Sequence, residues 1–191
     1  MKLSPKRTLI LLAALTILPV AASYLTFYVI KPQQRVNYGD LITPPQPLPE
    51  IKLTALDGSP FSLSQLKGKW IMLHINASAC DENCRTLLYY MRQSRTAQGK
   101  EMERITRVWL LTDGGTPAPE LLREYPGLHI ARAGNAAALN FFPATTGRAA
   151  HIYLIDPYGN LMLRFSPNPD AARIIKDLQR LLKVSREPKA A

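Results

Sequence analysis

The hydrophobic residues of this chain form one long run near the N-terminus and then a series of shorter segments. The run from Thr8 to Ile30 contains no charged side chain and exceeds the roughly 20 residues that a helix needs to cross a bilayer. Three basic residues, Lys2, Lys6 and Arg7, precede it. By the positive-inside rule, this pattern predicts a cytoplasmic N-terminus (1–7) and a single-pass anchor (8–30) in the inner, cytoplasmic membrane, with the rest of the chain on the periplasmic side.

A cleavable signal peptide is the alternative interpretation of the same run. Val20, Ala21 and Ala22 form an acceptable small-residue cleavage site. The apolar residues continue to Ile30, however, and the hydrophobic core of a typical signal peptide is shorter than this run. The length therefore favours an anchor. In both cases the rest of the chain lies in an oxidising compartment, where disulfides form.

A proline-rich segment, residues 31–49, follows the apolar run. Its prolines are Pro32, Pro44, Pro45, Pro47 and Pro49. Proline lacks a backbone N–H and fixes φ, so this segment cannot form a helix and favours an extended chain. We predict that it is a tether between the membrane and a folded domain at residues 50–185, which a short tail at residues 186–191 follows.

Strand-like and helix-like patterns alternate through the predicted domain. Short apolar runs typical of buried strands are separated by segments with helical periodicity. The predicted strands are 51–56, 70–76, 105–112, 151–156 and 161–165, and the predicted helices are 82–97, 119–125, 135–141 and a final helix capped by Asp170. An α/β order that ends in a hairpin and a helix predicts a mixed sheet covered by helices.

The net charge of +10 does not by itself identify a partner. A basic domain is one signature of nucleic-acid binding, but the sequence contains no nucleic-acid-binding motif, and its lysines and arginines are scattered. We therefore expect no nucleic-acid partner. The charge is consistent with simple solubility, with a basic face near an anionic membrane, or with an acidic protein partner.

The two cysteines of the chain, Cys80 and Cys84, lie between a predicted strand and a predicted helix. The partial positive charge at a helix N-terminus stabilises a thiolate, which lowers the pKa of the thiol and makes it more reactive. If the helix has begun by Cys80, the spacing places both sulfurs on one side, where they can form a disulfide or hold a soft ion such as copper(I). The alternative is an inert structural disulfide, but a loop this short would stabilise the fold little. The pair therefore indicates a working site for redox chemistry or metal binding.

Several segments together resemble the Sco/SenC family of thioredoxin-fold proteins. They are NYGDLI followed by prolines, FSLSQLKGKW, the CxxxC loop, LLTDGGTP, and IYLIDPYGN before the final helix. The resemblance covers most of the chain and implies a thioredoxin-like mixed sheet. It also implies a role in inserting copper into cytochrome c oxidase, with copper bound by Cys80, Cys84 and a distant histidine.

The sequence departs from this family at the third copper ligand. Counting back from Tyr153, the position of the family histidine is occupied by Arg148. His151 is the nearest histidine and is therefore the candidate substitute ligand beside the cysteine pair. Arg85 stands where the family commonly has a proline after the second cysteine.

The remaining candidate residues have ordinary structural interpretations. His74 lies within an apolar strand, where a core histidine with satisfied hydrogen bonds is expected. His129 is expected at the surface or at a strand edge. Asp81 and Glu82 fall at the start of the predicted helix, where negative charge stabilises the N-terminus, so we expect them to cap it.

Three functions fit these residues. The first is a Sco-like assembly factor that binds copper or delivers it to a cytochrome c oxidase subunit or another copper protein. The second is a thiol–disulfide oxidoreductase that acts on the cysteines of such a partner without binding copper stably. The third is a thioredoxin-like module that only binds a partner. Stable copper binding would support the first, disulfide exchange without it the second, and function after loss of both cysteines the third.

The predicted anchor leads to a test of placement. A reporter fused after Ala191 should behave as periplasmic, and the full chain should stay with the membranes after a carbonate wash, because a membrane-spanning helix is not released by high pH. Release of a soluble mature form that begins near Ser23 would contradict the anchor and support a cleaved signal peptide.

Overall fold

The first of two structural units in this chain contains one long apolar helix. The computed structural model describes residues 4–26, 28, 37–144 and 146–185, and the chain divides into Met1–Val36 and Asn37–Ala191. Helix α1 (Pro5–Leu25) is long and apolar enough to cross a membrane. Length and composition make it a candidate membrane span, although a signal sequence would have the same properties. The predicted end of the anchor, Ile30, lies outside the described residues.

The second unit is built on one mixed sheet. Its strands are β1 (Asp40–Pro47), β2 (Leu53–Ala55), β3 (Pro60–Phe61), β4 (Trp70–Asn76), β5 (Ile105–Leu111), β6 (Leu128–Ala133), β7 (Ile152–Ile155) and β8 (Asn160–Phe165). Its helices are α2 (Glu82–Thr96), α3 (Pro119–Glu124) and α4 (Ala171–Val184), with short 3₁₀ segments between elements. The strand order is β1–β8–β7–β4–β5–β6–β2–β3. The contacts β4–β5 and β5–β6 are parallel, and the others are antiparallel. The predicted mixed sheet covered by helices is confirmed.

Strand β4 lies in the middle of the sheet and divides the core into two parts. Trp70 and Met72 pack in a cluster with residues of α2 and α4, and we call this side the helix face. Ile71, Leu73 and Ile75 pack in a second cluster on the opposite face. The alternation follows from the two-residue period of a strand. Because both faces are buried, β4 is apolar along almost its whole length, as expected for a central strand.

Residues 40–47 correct the prediction of a free tether. They form β1, an edge strand that pairs antiparallel with β8. An edge strand tolerates proline because only one side of it needs backbone hydrogen bonds. The extended conformation was predicted correctly, but the segment belongs to the sheet, and the folded unit begins at Asn37 rather than at residue 50. Residues 31–36 of the predicted linker and the tail at 186–191 lie outside the described residues.

The start of the folded unit is fixed by a buried carboxylate. Asp177 of α4 is 1% exposed, and its Oδ2 accepts hydrogen bonds from the backbone N–H groups of Tyr38 (2.8 Å) and Gly39 (2.9 Å). A Cβ at Gly39 would overlap the side chain of Leu163, so the chain enters the sheet at a position that requires glycine. These contacts give the NYGD segment a structural role. In the sequence analysis it was noted only as part of the family resemblance.

Other segments also differ from the prediction. The predicted helix at 135–141 is a 3₁₀ segment, Ala136–Phe141. Strand β6 was not predicted, and it carries the exposed His129, which lies on a strand surface as expected.

Candidate functional site

Strand β4 leads directly to the cysteine pair. After the strand, the N–H of Ala77 donates to Oδ1 of Asn76 (2.7 Å), and the N–H of Cys80 donates to the carbonyl of Ala77 (3.2 Å). Cys80 has a φ of 44°, in the left-handed region that residues other than glycine rarely adopt. Helix α2 begins at Glu82, so Cys80 lies just before the helix and not inside it.

The two cysteines form a disulfide at the N-terminus of α2. Their Cα atoms are 5.2 Å apart, and Cys80 is 3% and Cys84 0% exposed. Both pack in the helix-face cluster. Asp81 is the N-cap of α2, because its Oδ1 accepts a hydrogen bond from the N–H of Cys84 (2.9 Å). The predicted capping role of Asp81 is confirmed, and the sulfur pair sits at the positive end of the helix dipole.

A loop after β5 braces the segment that precedes Cys80. The carboxylate of Asp113 accepts hydrogen bonds from the N–H (3.1 Å) and the hydroxyl (3.0 Å) of Ser78. These hydrogen bonds hold the pKa of Asp113 below its usual value, so the brace is present above pH of about 4 and is lost as pH falls through the lowered pKa. A Cβ at Gly115 would overlap the hydroxyl of Ser78. The DGG segment thus positions the cysteine loop. From the sequence it was recognised only as part of the family resemblance.

Arg148, at the position of the family histidine, holds a neighbouring segment in place. Its Nε donates to the carbonyl of Phe142 (3.2 Å), and its Nη2 donates to Oδ1 of Asn140 (2.8 Å). The next residue does contact α2, because Nδ2 of Asn83 donates to the carbonyl of Ala149 (3.3 Å). The position therefore lies beside the start of α2, but its side chain is a cation engaged with the segment 140–142.

His151, the predicted substitute ligand, does not lie with the cysteines. Its neighbour Ile152 packs on the helix face, so the two-residue period of the strand places His151 on the opposite face. There its ring lies 6.0 Å from the ring of Tyr153, and its Nδ1–H donates to the carbonyl of Phe165 (2.8 Å). Within the described residues, no three histidine, cysteine or acidic side chains are placed to hold a metal ion. The three-ligand copper site predicted with His151 is therefore not formed.

His74 is the histidine on the cysteine side of the sheet. It is paired in register with Trp109 of β5 and Ile152 of β7, and both of those residues belong to the cluster that contains the cysteines. Its Nδ1–H donates to the carbonyl of His151 (3.0 Å). Complete burial lowers the pKa of His74 to about 4. The sequence predicted a satisfied core histidine, but Nε2 has no hydrogen-bond partner among the described residues.

A protein-family model described as transmembrane-like, thioredoxin-like, C-terminal domain matches residues 70–185, which is more than half of the chain. The chain belongs to this thioredoxin-like family. The matched range begins with β4 and ends just after α4, so the family domain includes the cysteine pair and the elements that position it. The thioredoxin-like fold expected from the sequence is confirmed.

Individual proteins similar to this domain include a curated relative and solved structures of Sco proteins. A Stutzerimonas stutzeri protein named "Putative copper-binding protein" is 28% identical over 130 residues, 61% of this chain and 63% of the relative, so the match spans less than two thirds of its length. Yeast Sco1 with copper bound has a TM-score of 0.63 at 18% identity and covers 74% of this chain and 96% of its own. BsSco, a member of the Sco family of cytochrome c oxidase assembly proteins with a disulfide switch, has a TM-score of 0.56 at 15% identity and covers 80% and 100%. The resemblance to Sco proteins is confirmed at the level of the fold.

The cap of α2 generates a stability prediction. Asp81→Ala removes the acceptor for the N–H of Cys84 and should lower the free energy of unfolding by about 0.5–2 kcal/mol. Glu82→Ala is the matched control, because Glu82 lies in the same turn and does not accept this bond, and it should change the free energy by less than about 0.5 kcal/mol. Urea unfolding can be followed by the fluorescence of the buried Trp70 and Trp109. Equal losses in the two variants would show that Asp81 acts only through its charge.

Proposed function

We propose that this chain is a membrane-anchored, Sco-like thiol–disulfide exchange protein that assists assembly of the copper site of cytochrome c oxidase by acting on the cysteines of a copper-receiving partner. The observation that carries this proposal is the Cys80–Cys84 disulfide at the N-terminus of α2. A disulfide between residues four apart closes a very short loop and constrains the unfolded chain little. Its position therefore points to chemistry rather than to stabilisation of the fold.

Reduction of a partner disulfide ends in the bond seen here. The thiolate of Cys80 attacks one sulfur of the partner disulfide, and the other partner sulfur leaves as a thiolate. Cys84 then attacks the Cys80 sulfur of the mixed disulfide, which forms the Cys80–Cys84 bond and releases the second partner thiolate. The pair loses two electrons and two protons, and the partner gains two thiols. A dithiol of another protein must reduce the pair again.

Partner reduction is the direction that copper-site assembly needs. A thiolate binds copper, whereas a disulfide sulfur does not supply that ligand, so cysteines that receive copper must be kept reduced in an oxidising compartment. The link to copper and to the oxidase is supported by the name of the Stutzerimonas stutzeri relative and by the Sco proteins that share the fold. The apolar helix α1 supports a membrane anchor, and the basic residues before it support a periplasmic domain.

The order of attack leads to a prediction about the two thiols. Cys80 is the less buried cysteine and lies at the end of the helix dipole, so it should react first. Alkylation of the reduced full chain across pH should show Cys80 reacting with a pKa well below the usual value of about 8.5. Cys84→Ser should accumulate a mixed disulfide with a partner that carries a disulfide, because Cys80 can attack that disulfide but the resolving thiol is absent.

Cys80→Ser is the matched control for this trapping experiment. It retains one thiol but lacks the attacking residue, so it should form little mixed disulfide. If both cysteines titrate like free cysteine and both variants trap a partner equally, the proposed roles are wrong.

A second candidate function is copper(I) carriage by the reduced pair, which the name of the copper-binding relative favours. Two thiolates suit copper(I), whereas copper(II) prefers additional nitrogen or oxygen donors. We expect the reduced full chain to bind copper(I) against a modest competitor and to bind copper(II) weakly. Either cysteine-to-serine change should abolish binding.

His151→Ala serves as the control for this copper titration. It should leave copper(I) binding unchanged, because His151 lies on the opposite face. Failure of the reduced wild-type chain to bind copper(I) would remove this candidate and leave thiol exchange as the function.

A further inference from the structure

Three buried polar atoms on the helix face have no hydrogen-bond partner among the described residues. They are Nε2 of His74, Nδ2 of Asn76 and Nε1 of Trp109. In β4, His74 and Asn76 continue the two-residue spacing of Trp70 and Met72, which pack on the helix face. Trp109 of β5 is paired in register with His74. Strand period therefore directs all three side chains toward the face that carries the disulfide. A buried polar atom without a partner costs free energy, so this grouping beside a redox pair calls for a ligand or a second state.

The tautomer of the neutral His74 ring makes Nε2, its nitrogen without a partner among the described residues, a hydrogen-bond acceptor. Nδ1 lies 3.0 Å from the carbonyl of His151, and since a carbonyl only accepts, Nδ1 carries the proton. Burial lowers the pKa of the ring to about 4, so the imidazole is neutral at physiological pH and Nε2 keeps its lone pair. The carboxylate of Asp81 acts on the same ring in the opposite direction, raising its pKa, and this places the N-cap of α2 within electrostatic reach of His74.

Cys84 is the group on α2 that can supply the missing donor. It is 0% exposed, lies in the first turn of α2, and packs in the same cluster as Trp109 and Ile152, the two residues that flank His74 in the sheet. As a disulfide, the sulfur of Cys84 carries no proton and can donate nothing. As a thiol, it gains an S–H donor inside that cluster.

We propose that Nε2 of His74 accepts a hydrogen bond from the thiol of Cys84 when the disulfide is reduced, and that this bond stabilises the reduced pair. His74 is thus a positioning residue that shifts the redox equilibrium of the cysteines without touching a partner. The inference rests on the proposed thiol–disulfide function, since it concerns the same pair. It also accounts for an otherwise unpartnered imidazole in the central strand.

His151 provides a matched control within the same fold. It is also fully buried, its Nδ1–H also donates to a backbone carbonyl, and its Nε2 also lacks a partner among the described residues. It lies on the opposite face of the sheet from the disulfide. Replacing either histidine by leucine removes the same chemical group, but only the change at position 74 should affect the cysteines.

The test is the redox equilibrium of the full chain in detergent micelles with glutathione buffers. Two glutathione thiols become one glutathione disulfide, and their electrons and protons convert the Cys80–Cys84 bond into two thiols. His74→Leu should lower the equilibrium constant for reduction about tenfold, which is about 30 mV in potential, because the thiol loses its acceptor and the disulfide state loses an unpartnered atom. His151→Leu should change it by less than about twofold.

The wild-type chain allows a second test that does not depend on the folding of a variant. The ¹⁵N chemical shift of Nε2 of His74 should move on reduction toward that of a hydrogen-bonded nitrogen, while the shift for His151 stays constant. If the wild-type disulfide cannot be reduced by glutathione or dithiothreitol, the proposed exchange function fails. If it is reduced normally but neither the equilibrium nor the shift depends on His74, only this inference is overturned.

Discussion

The burial of strand β4 between β5 and β7 is the constraint on which the cysteine site depends. The strand is paired on both edges and packed on both faces. A shift of one residue in register would exchange its two faces and place Ile71 and Leu73 where Met72 and His74 now lie. Because such a shift would disrupt both core clusters at once, β4 is fixed. The end of β4 therefore delivers the cysteine loop to one defined place against α2.

The loop itself is held by polar contacts rather than by packing alone. Asn76 accepts from the first residue of the loop, Asp113 accepts from Ser78, and Asp81 caps the helix that contains Cys84. These acceptors come from the end of β4, the loop after β5 and the start of α2. Together they support the left-handed backbone of Cys80, a conformation that surrounding structure must maintain. These contacts hold the loop in its oxidised state, in which both cysteines are buried.

The local sequence pattern predicted the elements that surround the site. The strands that it missed form through pairing with segments distant in the sequence. The apolar run of β4, the helix after the cysteines and the final helix were predicted nearly at their observed bounds, because each has a strong period of its own. Strand β1 was missed because prolines disguise a strand whose pairing partner lies more than a hundred residues away. Strand β6 was missed because His129 and Arg132 break its apolar pattern, and its pairing with β5 and β2 makes it a strand.

The placement of the histidines shows the same limit at the site. Sequence spacing favoured His151 over His74, because His151 lies near the family position and His74 looked like an ordinary core residue. In the structure the preference is the opposite. Ile152 lies on the helix face, so His151, one residue before it, lies on the other face, whereas His74 lies on the helix face. The position of His74 on the face that carries the cysteines depends on the sheet register, which the local sequence does not encode.

Thiol exchange and copper carriage exclude each other in any one state of this site. The disulfide has no thiolate to offer, and no third ligand from the described residues compensates for it. Reduction must therefore precede any copper binding, and partner reduction consumes the thiolates that would hold copper. Interactions that favour the reduced pair make copper(I) carriage easier and make the pair a weaker reductant. The balance between the two proposed activities would therefore depend on the groups around Cys84, which include the N-terminus of α2 with its positive potential and, in our proposal, the free nitrogen of His74.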